Sequence, residues 1–280
     1  HIVTTAIEHH AILNCMKELE GQGFEVTYLQ PDSQGRVSVD DLKAALRKDT
    51  ILVSIMMVNN EVGSVMPISQ MAKLTHRLCP DAIFHTDAVQ GFLKVPFQAK
   101  SLGADLISVS SHKIHGPKGA GALYISPRLR SFPALLLGGG QEGGYRSGTE
   151  GTPAIFGFAA ACAAVSATFR EDFPRERALI EEFAEKFAAL EGVTVNGCHE
   201  APHVLSLAVP GCYQAIDQHA HSLRLFVCRK VSPAHGLQLS QNLLLRASDS
   251  PGLHAGAHQQ DALEPVVSGI GIVTQAQPFS

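Results

Sequence analysis

An uninterrupted apolar run, Ile51-Leu52-Val53-Ser54-Ile55-Met56-Met57-Val58, constrains the fold of this chain more than any other feature. It is short, rich in β-branched residues and lacks a polar face, as expected of a strand buried on both sides. Strands of that kind belong to sheets covered by helices, and the surrounding sequence supplies the pattern. His1–Ala6 is short and β-branched, and Glu8–Leu19 places Ile12, Leu13, Met16 and Leu19 at helical spacing before Gly21 and Gly23. Phe24–Leu29 alternates as a strand, Pro31-Asp32 and Gly35 form a turn, and Ser38 caps a helix from Val39 to about Arg47. A helix over Ile68–Leu78 and strands at Ala82–Thr86, Asp105–Val109 and Ala120–Ile125 follow. The alternation predicts an α/β fold: a mainly parallel sheet with helices on both faces, its ligand at the carboxyl ends of the strands.

The helical region 153–190 is expected to be interrupted at Pro174, with Leu179, Ile180, Phe183, Phe187 and Leu190 forming an apolar stripe. Val193–Val195 and His203–Val209 read as strands of a smaller α+β unit. After Gly211 the composition shifts. The last 69 residues hold 8 Gln against 7 in the preceding 211, and no helical or strand period persists, so no regular structure is assigned there.

Net charge is −4, which gives no electrostatic reason to expect nucleic acid or an acidic membrane as partner. No run of 18 consecutive apolar residues marks a membrane span, and His1-Ile2-Val3-Thr4-Thr5 lacks a signal-peptide pattern. The six cysteines are scattered without a C-x-x-C pair, which argues against a disulfide framework or a metal site and for free thiols in the cytoplasm.

Candidate chemistry collects after the strands. Ser110-Ser111-His112-Lys113-Ile114-His115-Gly116-Pro117-Lys118-Gly119 places a lysine beside hydroxyls, imidazoles and a tight turn, a setting for Schiff-base chemistry if burial and cationic neighbours lower its pKa. Asp87, in His85-Thr86-Asp87-Ala88-Val89-Gln90, offers a carboxylate for a protonated pyridine nitrogen. Glu8-His9-His10 and Asn59-Asn60-Glu61-Val62-Gly63 follow two further strands. Gly138–Thr149, with Arg146, Ser147 and Thr149, has the backbone freedom and donors for a phosphate. Each has a plainer reading alone: a surface lysine, a solvated Asp, an incidental His, a flexible linker. Four polar constellations at strand ends of one α/β domain carry more weight together.

In this order, these segments resemble the cysteine desulfurases, within the class V aminotransferase group of pyridoxal 5′-phosphate (PLP) enzymes of fold type I. The resemblance spans residue 1 to about 211. It implies that Lys113 holds PLP as a Schiff base and that His9 stacks on the ring and assists proton transfer. Asp87 would pair with the ring nitrogen, Gln90 reach the 3′ oxygen and Asn60 contact cofactor or substrate. Ser110 and His112 would hold the phosphate, and Thr149 would bind the phosphate in a neighbouring subunit, making the protein a homodimer. The implied substrate is L-cysteine, converted to alanine and an enzyme persulfide that passes to a sulfur-acceptor protein, as in iron–sulfur cluster assembly. The implied domains are a PLP-binding large domain over 1–165 and the start of a small domain over 166–211. Residues 212–280 would be a tail outside the family, disordered or out of frame. The family's Gly/Thr phosphate turn is expected to lie before His1. Its persulfide cysteine loop and substrate-carboxylate arginine are not recognisable after Gly211, where neither Cys212, Cys228 nor Arg246 has a matching context. Another class V aminotransferase, a selenocysteine lyase or a non-catalytic fragment remain alternative readings.

Overall fold

A computed structural model describes residues 1–129 and 131–208, with two short strands at 222–226 and 270–271. Six strands come first: Ile2–Thr5 (β1), Val26–Leu29 (β2), Leu52–Ser54 (β3), Ile83–Asp87 (β4), Leu106–Ser110 (β5) and Gly121–Ile125 (β6). Helices His10–Gly21 (α1), Val39–Ala45 (α2), Ile68–Leu78 (α3) and Ala99–Leu102 (α4) connect the first five. The helix starts follow local chemistry. Ser38 Oγ accepts from the Asp41 N–H at 3.0 Å, and Asp40 and Asp41 sit in the first turn of α2, where the helix dipole favours negative charge.

Strands β2, β1, β3, β4 and β5 pair in parallel in that spatial order, and β6 lies antiparallel against β5. Register is continuous: Ile2 faces Val26 on one side and Leu52 on the other, Leu52 faces Ile83, and His85 faces Leu106. The sheet is therefore mainly parallel, with an antiparallel edge. Only the short link 111–120 separates β5 from β6, too little chain for the helical crossover that parallel pairing needs.

The apolar run is buried as expected from Val53 to Val58, while Ile51 is exposed and Leu52 half-buried, and it is a strand only over Leu52–Ser54. Beyond Ser54 it stays bonded to β4 on one side, through Ile55 N–H to His85 O at 3.1 Å and Met57 N–H to Asp87 O at 2.9 Å. It has left β1 on the other. In β4 and β5 burial alternates: Phe84, Thr86, Ile107 and Val109 are buried, while His85, Asp87, Ser108 and Ser110 occupy a half-buried face. That second face is where the polar chemistry sits.

Thr152–Ala188 forms one helix, α5, which passes through Pro174 rather than breaking there. Proline removes one N–H and crowds the carbonyl four residues earlier, a local cost that a long packed helix absorbs. The first part of α5 adds Phe158 and Val165 to the core under the sheet, and its last part packs Ile180 and Ala184 with Leu205 and Leu207 in a second core. By length and composition alone α5 could cross a membrane; Phe158 and Val165 pack inward from that apolar stretch while Phe156 is 73% exposed. Thr194–Asn196 (β7), Val204–Ala208 (β8) and Ser222–Phe226 (β9) form a three-stranded antiparallel sheet over the second core, and Ile270–Gly271 (β10) pairs antiparallel with β6. Residues 222–226 and 270–271 thus hold strands in a region where the sequence assigns none; the rest of 212–280 lies outside the described residues.

The amino-terminal ends of β4 and β5 are pinned by Asp105. Its buried carboxylate accepts from the Phe84 N–H, His76 Nε2 and a bidentate Arg128, all between 2.6 and 2.8 Å. Burial pushes its pKa up, but the bonds from Arg128, Phe84 and His76 outweigh that and hold it below the usual carboxylate range. A carboxylate depressed in the folded state stabilises above its unfolded pKa and loses that contribution as pH falls through the folded one. Asp105→Asn is expected to cost about 2 kcal/mol at neutral pH by leaving donors facing donors, and to lose less stability than the parent below pH ~4. Urea unfolding across pH checks both; equal midpoints at pH 7 would refute the pin.

Candidate functional site

Parallel pairing brings the ends of β1, β3, β4 and β5 to one edge of the sheet, and four of the five candidate segments lie there. After β1, Glu8 is buried and His9 is exposed, capping α1 by accepting the Ala11 N–H at Nδ1. After β3, the chain reverses through Asn59 N–H to Ser64 O and Met66 N–H to Met57 O, leaving Asn60 half-buried at the tip. Asn60 Nδ2 donates to Glu61 at 2.7 Å.

Asp87 ends β4 with one carboxylate oxygen accepting from the Val89 N–H at 2.9 Å. Burial raises its pKa, with the positive charges of His9 and Lys113 pulling the other way. Those charges come from the ends of β1 and β5, so Asp87, His9 and Lys113 form one electrostatic group. Gln90 is buried and its Oε1 accepts from Lys94 Nζ at 2.7 Å. The following Gly91 lies against Met57, where a Cβ would come within 2.4 Å of the sulfur, so this turn has room only for glycine.

Ser110 ends β5 and its Oγ lies 2.7 Å from His112 Nδ1. Ser111–Ile114 forms a single 3₁₀ turn closed by His115 in the left-handed conformation (φ 68°). Such a φ in a non-glycine residue is strained, and strain of this kind concentrates at functional sites. Lys113 is exposed on this turn, not buried as the sequence suggested. Cationic neighbours do crowd it: the His112 pKa is lowered by burial and then by Lys113, Lys118 and Lys94. Ser111 Oγ is buried without a partner, and Gly116 is held so close that a Cβ would lie 2.1 Å from it.

The glycine segment 138–149 is not a free linker. Leu135 N–H bonds Tyr145 O, Ser147 N–H bonds Leu136 O, and Ser147 Oγ donates to Gly139 O at 2.8 Å. Arg146 turns onto the Ser147 carbonyl, and Thr149 is exposed on this separate loop, outside the Lys113 group.

Three residues to which the sequence assigned no role complete the face. Ser54, His85 and Ser108 form a row across β3, β4 and β5, with His85 Nδ1 2.8 Å from Ser54 Oγ and Nε2 2.9 Å from Ser108 Oγ. Burial pushes the His85 pKa down to about 4. The available signal was a serine inside each of two apolar runs, since a buried hydroxyl needs a partner.

The arrangement fits PLP. A carboxylate with one oxygen uncommitted suits a pyridinium, an exposed primary amine on the turn after the next strand suits the aldehyde, and the buried Ser111 hydroxyl beside Gly116 suits an anion. Residues 1–224 match the family described as Aminotransferase class-V. The chain belongs to that family. Its members and the cysteine desulfurases related to this chain depend on PLP. The putative cysteine desulfurase IscS 1 of Bacillus subtilis (strain 168) is 46% identical over 214 residues, covering 75% of this chain and 56% of that protein. The cysteine desulfurase IscS of Shewanella sediminis (strain HAW-EB3) is 44% identical over 249 residues, covering 88% of this chain and 61% of the relative. An alignment of that length extends past Gly211, so the resemblance does not stop where the motifs do. A solved NifS-like protein superposes with a TM-score of 0.70 at 36% identity, covering 75% of this chain and 58% of its own. The chain spans about half the length of the curated relatives it matches.

A histidine whose folded pKa lies below its unfolded value of about 6.5 binds fewer protons than the unfolded chain between the two. Stability therefore falls as pH drops from about 6.5 to about 4. His85→Gln is expected to flatten that limb, read by denaturant unfolding at pH 7, 6, 5 and 4. An unchanged slope would show that His85 is not buried neutral.

Proposed function

We propose that this chain carries the PLP-binding half of a cysteine desulfurase, which takes sulfur from L-cysteine, leaves alanine and passes the sulfur on through an enzyme cysteine. The observation that carries the reading is the placing of Asp87 and Lys113 at the ends of adjacent parallel strands, with His9 in their electrostatic reach. PLP, when bound, supplies an electron sink for the bonds at the substrate α-carbon. Lys113 would hold the cofactor and would be the group to move the α-proton, work suited to an exposed amine at the open mouth of the site. Asp87 keeps the ring nitrogen protonated. His9, capping α1 through Nδ1, presents the rest of its ring for stacking and proton transfer. Gln90 supports the 3′ oxygen, Asn60 meets cofactor or substrate, and Ser110 with His112 holds the phosphate.

Thr149 is exposed outside this group, and Leu135, Leu137 and Phe156 are exposed apolar residues of the same part of the chain. That apolar surface favours a second copy of the chain as its cover, with Thr149 reaching the partner's phosphate in a homodimer. Among the described cysteines, burial pushes the Cys79, Cys162 and Cys198 thiols up, which disfavours the thiolate that sulfur acceptance needs. The persulfide, which passes to a sulfur-acceptor protein, is therefore assigned to none of these three; Cys15 is exposed on α1, and Cys212 and Cys228 lie outside the described residues.

The purified chain with added PLP is expected to show a visible absorption band, and borohydride reduction should fix the cofactor on Lys113. Lys113→Ala should abolish both. With L-cysteine and an added thiol reductant to discharge the persulfide, the whole protein should release alanine and sulfide, and His9→Ala should slow it by about 10²-fold. Label scattered over surface lysines, with no band, would leave a non-catalytic domain and sink the proposal.

A further inference from the structure

Beyond Ser54 the strands β1 and β3 part, and backbone groups that the ladder would have paired need other partners. Two side chains supply them. Glu8 Oε1 accepts from the Met56 N–H and from Thr5 Oγ1, both at 2.8 Å. Asn59 Nδ2 donates to Ile7 O at 3.0 Å, while its Oδ1 accepts from the Glu61 and Val62 N–H groups at 2.8 and 2.9 Å. Each loop lends one side chain to the backbone of the other, and both donors, the Met56 N–H and Asn59 Nδ2, lie on the second loop. Glu8 is 5% exposed and Asn59 2%, so neither bond competes with solvent. Each residue immediately precedes one assigned a role at the cofactor: Glu8 precedes His9, and Asn59 precedes Asn60.

We propose that Glu8 and Asn59 form a reciprocal staple between these two loops, and that they are the positioning residues for His9 and Asn60. The inference rests on the PLP reading above. Glu8 acts in it as a neutral carboxyl. Its Oε2 is buried and unpartnered, a place where an ionised oxygen would be costly. Burial raises its pKa to about 8, against the bonds from Met56 and Thr5, and the charge of Asp87 raises it further. A neutral Glu8 keeps its acceptor for Met56 and adds no second negative charge beside Asp87. Asp87 is thereby left as the carboxylate for the ring nitrogen.

The test is a PLP titration, followed by visible absorption, of the chain and of Glu8→Gln, Glu8→Ala, His9→Ala and the Glu8→Ala/His9→Ala pair. Exchange of the Met56 amide is measured on the same proteins without PLP. Glu8→Gln keeps an acceptor and no charge, so it should bind within about threefold of the parent and keep Met56 protected. Glu8→Ala should bind about tenfold more weakly and lose that protection. The double variant should bind no more weakly than His9→Ala alone, because the staple acts through His9. Additive losses, or a Glu8→Gln as weak as Glu8→Ala, would overturn the inference. If Glu8→Ala does not fold, Asn59→Ala paired with Asn60→Ala carries the same cycle. If the parent binds no PLP, the cofactor reading fails; Met56 exchange then decides the staple alone, and protection unchanged in Glu8→Ala overturns it.

Discussion

Parallel pairing of β1, β3, β4 and β5 forces four carboxyl ends onto one edge of the sheet, and the site depends on that constraint. Residues as distant in sequence as His9, Asp87 and Lys113 share an electrostatic environment because adjacent strands deliver them side by side. The opposite edge is fixed by Asp105, whose bonds to Phe84, His76 and Arg128 hold β4 and β5 in register before their far ends diverge into loops. One end is closed by a satisfied ion pair; the other is left open and polar.

The polar face is arranged by charge state as much as by position. His85 is held neutral by burial between Ser54 and Ser108, so it adds no positive charge beneath the site. Glu8 is held up by burial and adds no negative charge. Between these two neutral groups, Asp87 faces the positive charges of His9 and Lys113. Charge is thus confined to residues that can reach an open ligand, and buried polar groups serve as hydrogen-bonding framework.

Much of this was legible in the sequence. Helix α3 spans Ile68–Leu78 as expected, and Ser38 caps α2 as expected. The departures share a cause. Pro174 reads as a breaker, yet packing on both of its sides carries α5 through it. The glycines of 138–149 read as freedom, yet bonds from Ser147 and Leu135 order the loop. Local propensity is a weak prior wherever tertiary contacts supply several bonds at once.

The sequence by itself determined the α/β class, the strand ends that bear Lys113, Asp87, His9 and Asn60, and the family, because periodicity and motif order are local properties of the chain. Only the tertiary structure decided that Lys113 is exposed, that β6 is antiparallel, and that Glu8 and Asn59 tie two loops together. Those outcomes depend on which backbone groups remain unpaired when strands separate, and that accounting exists only once the strands have met.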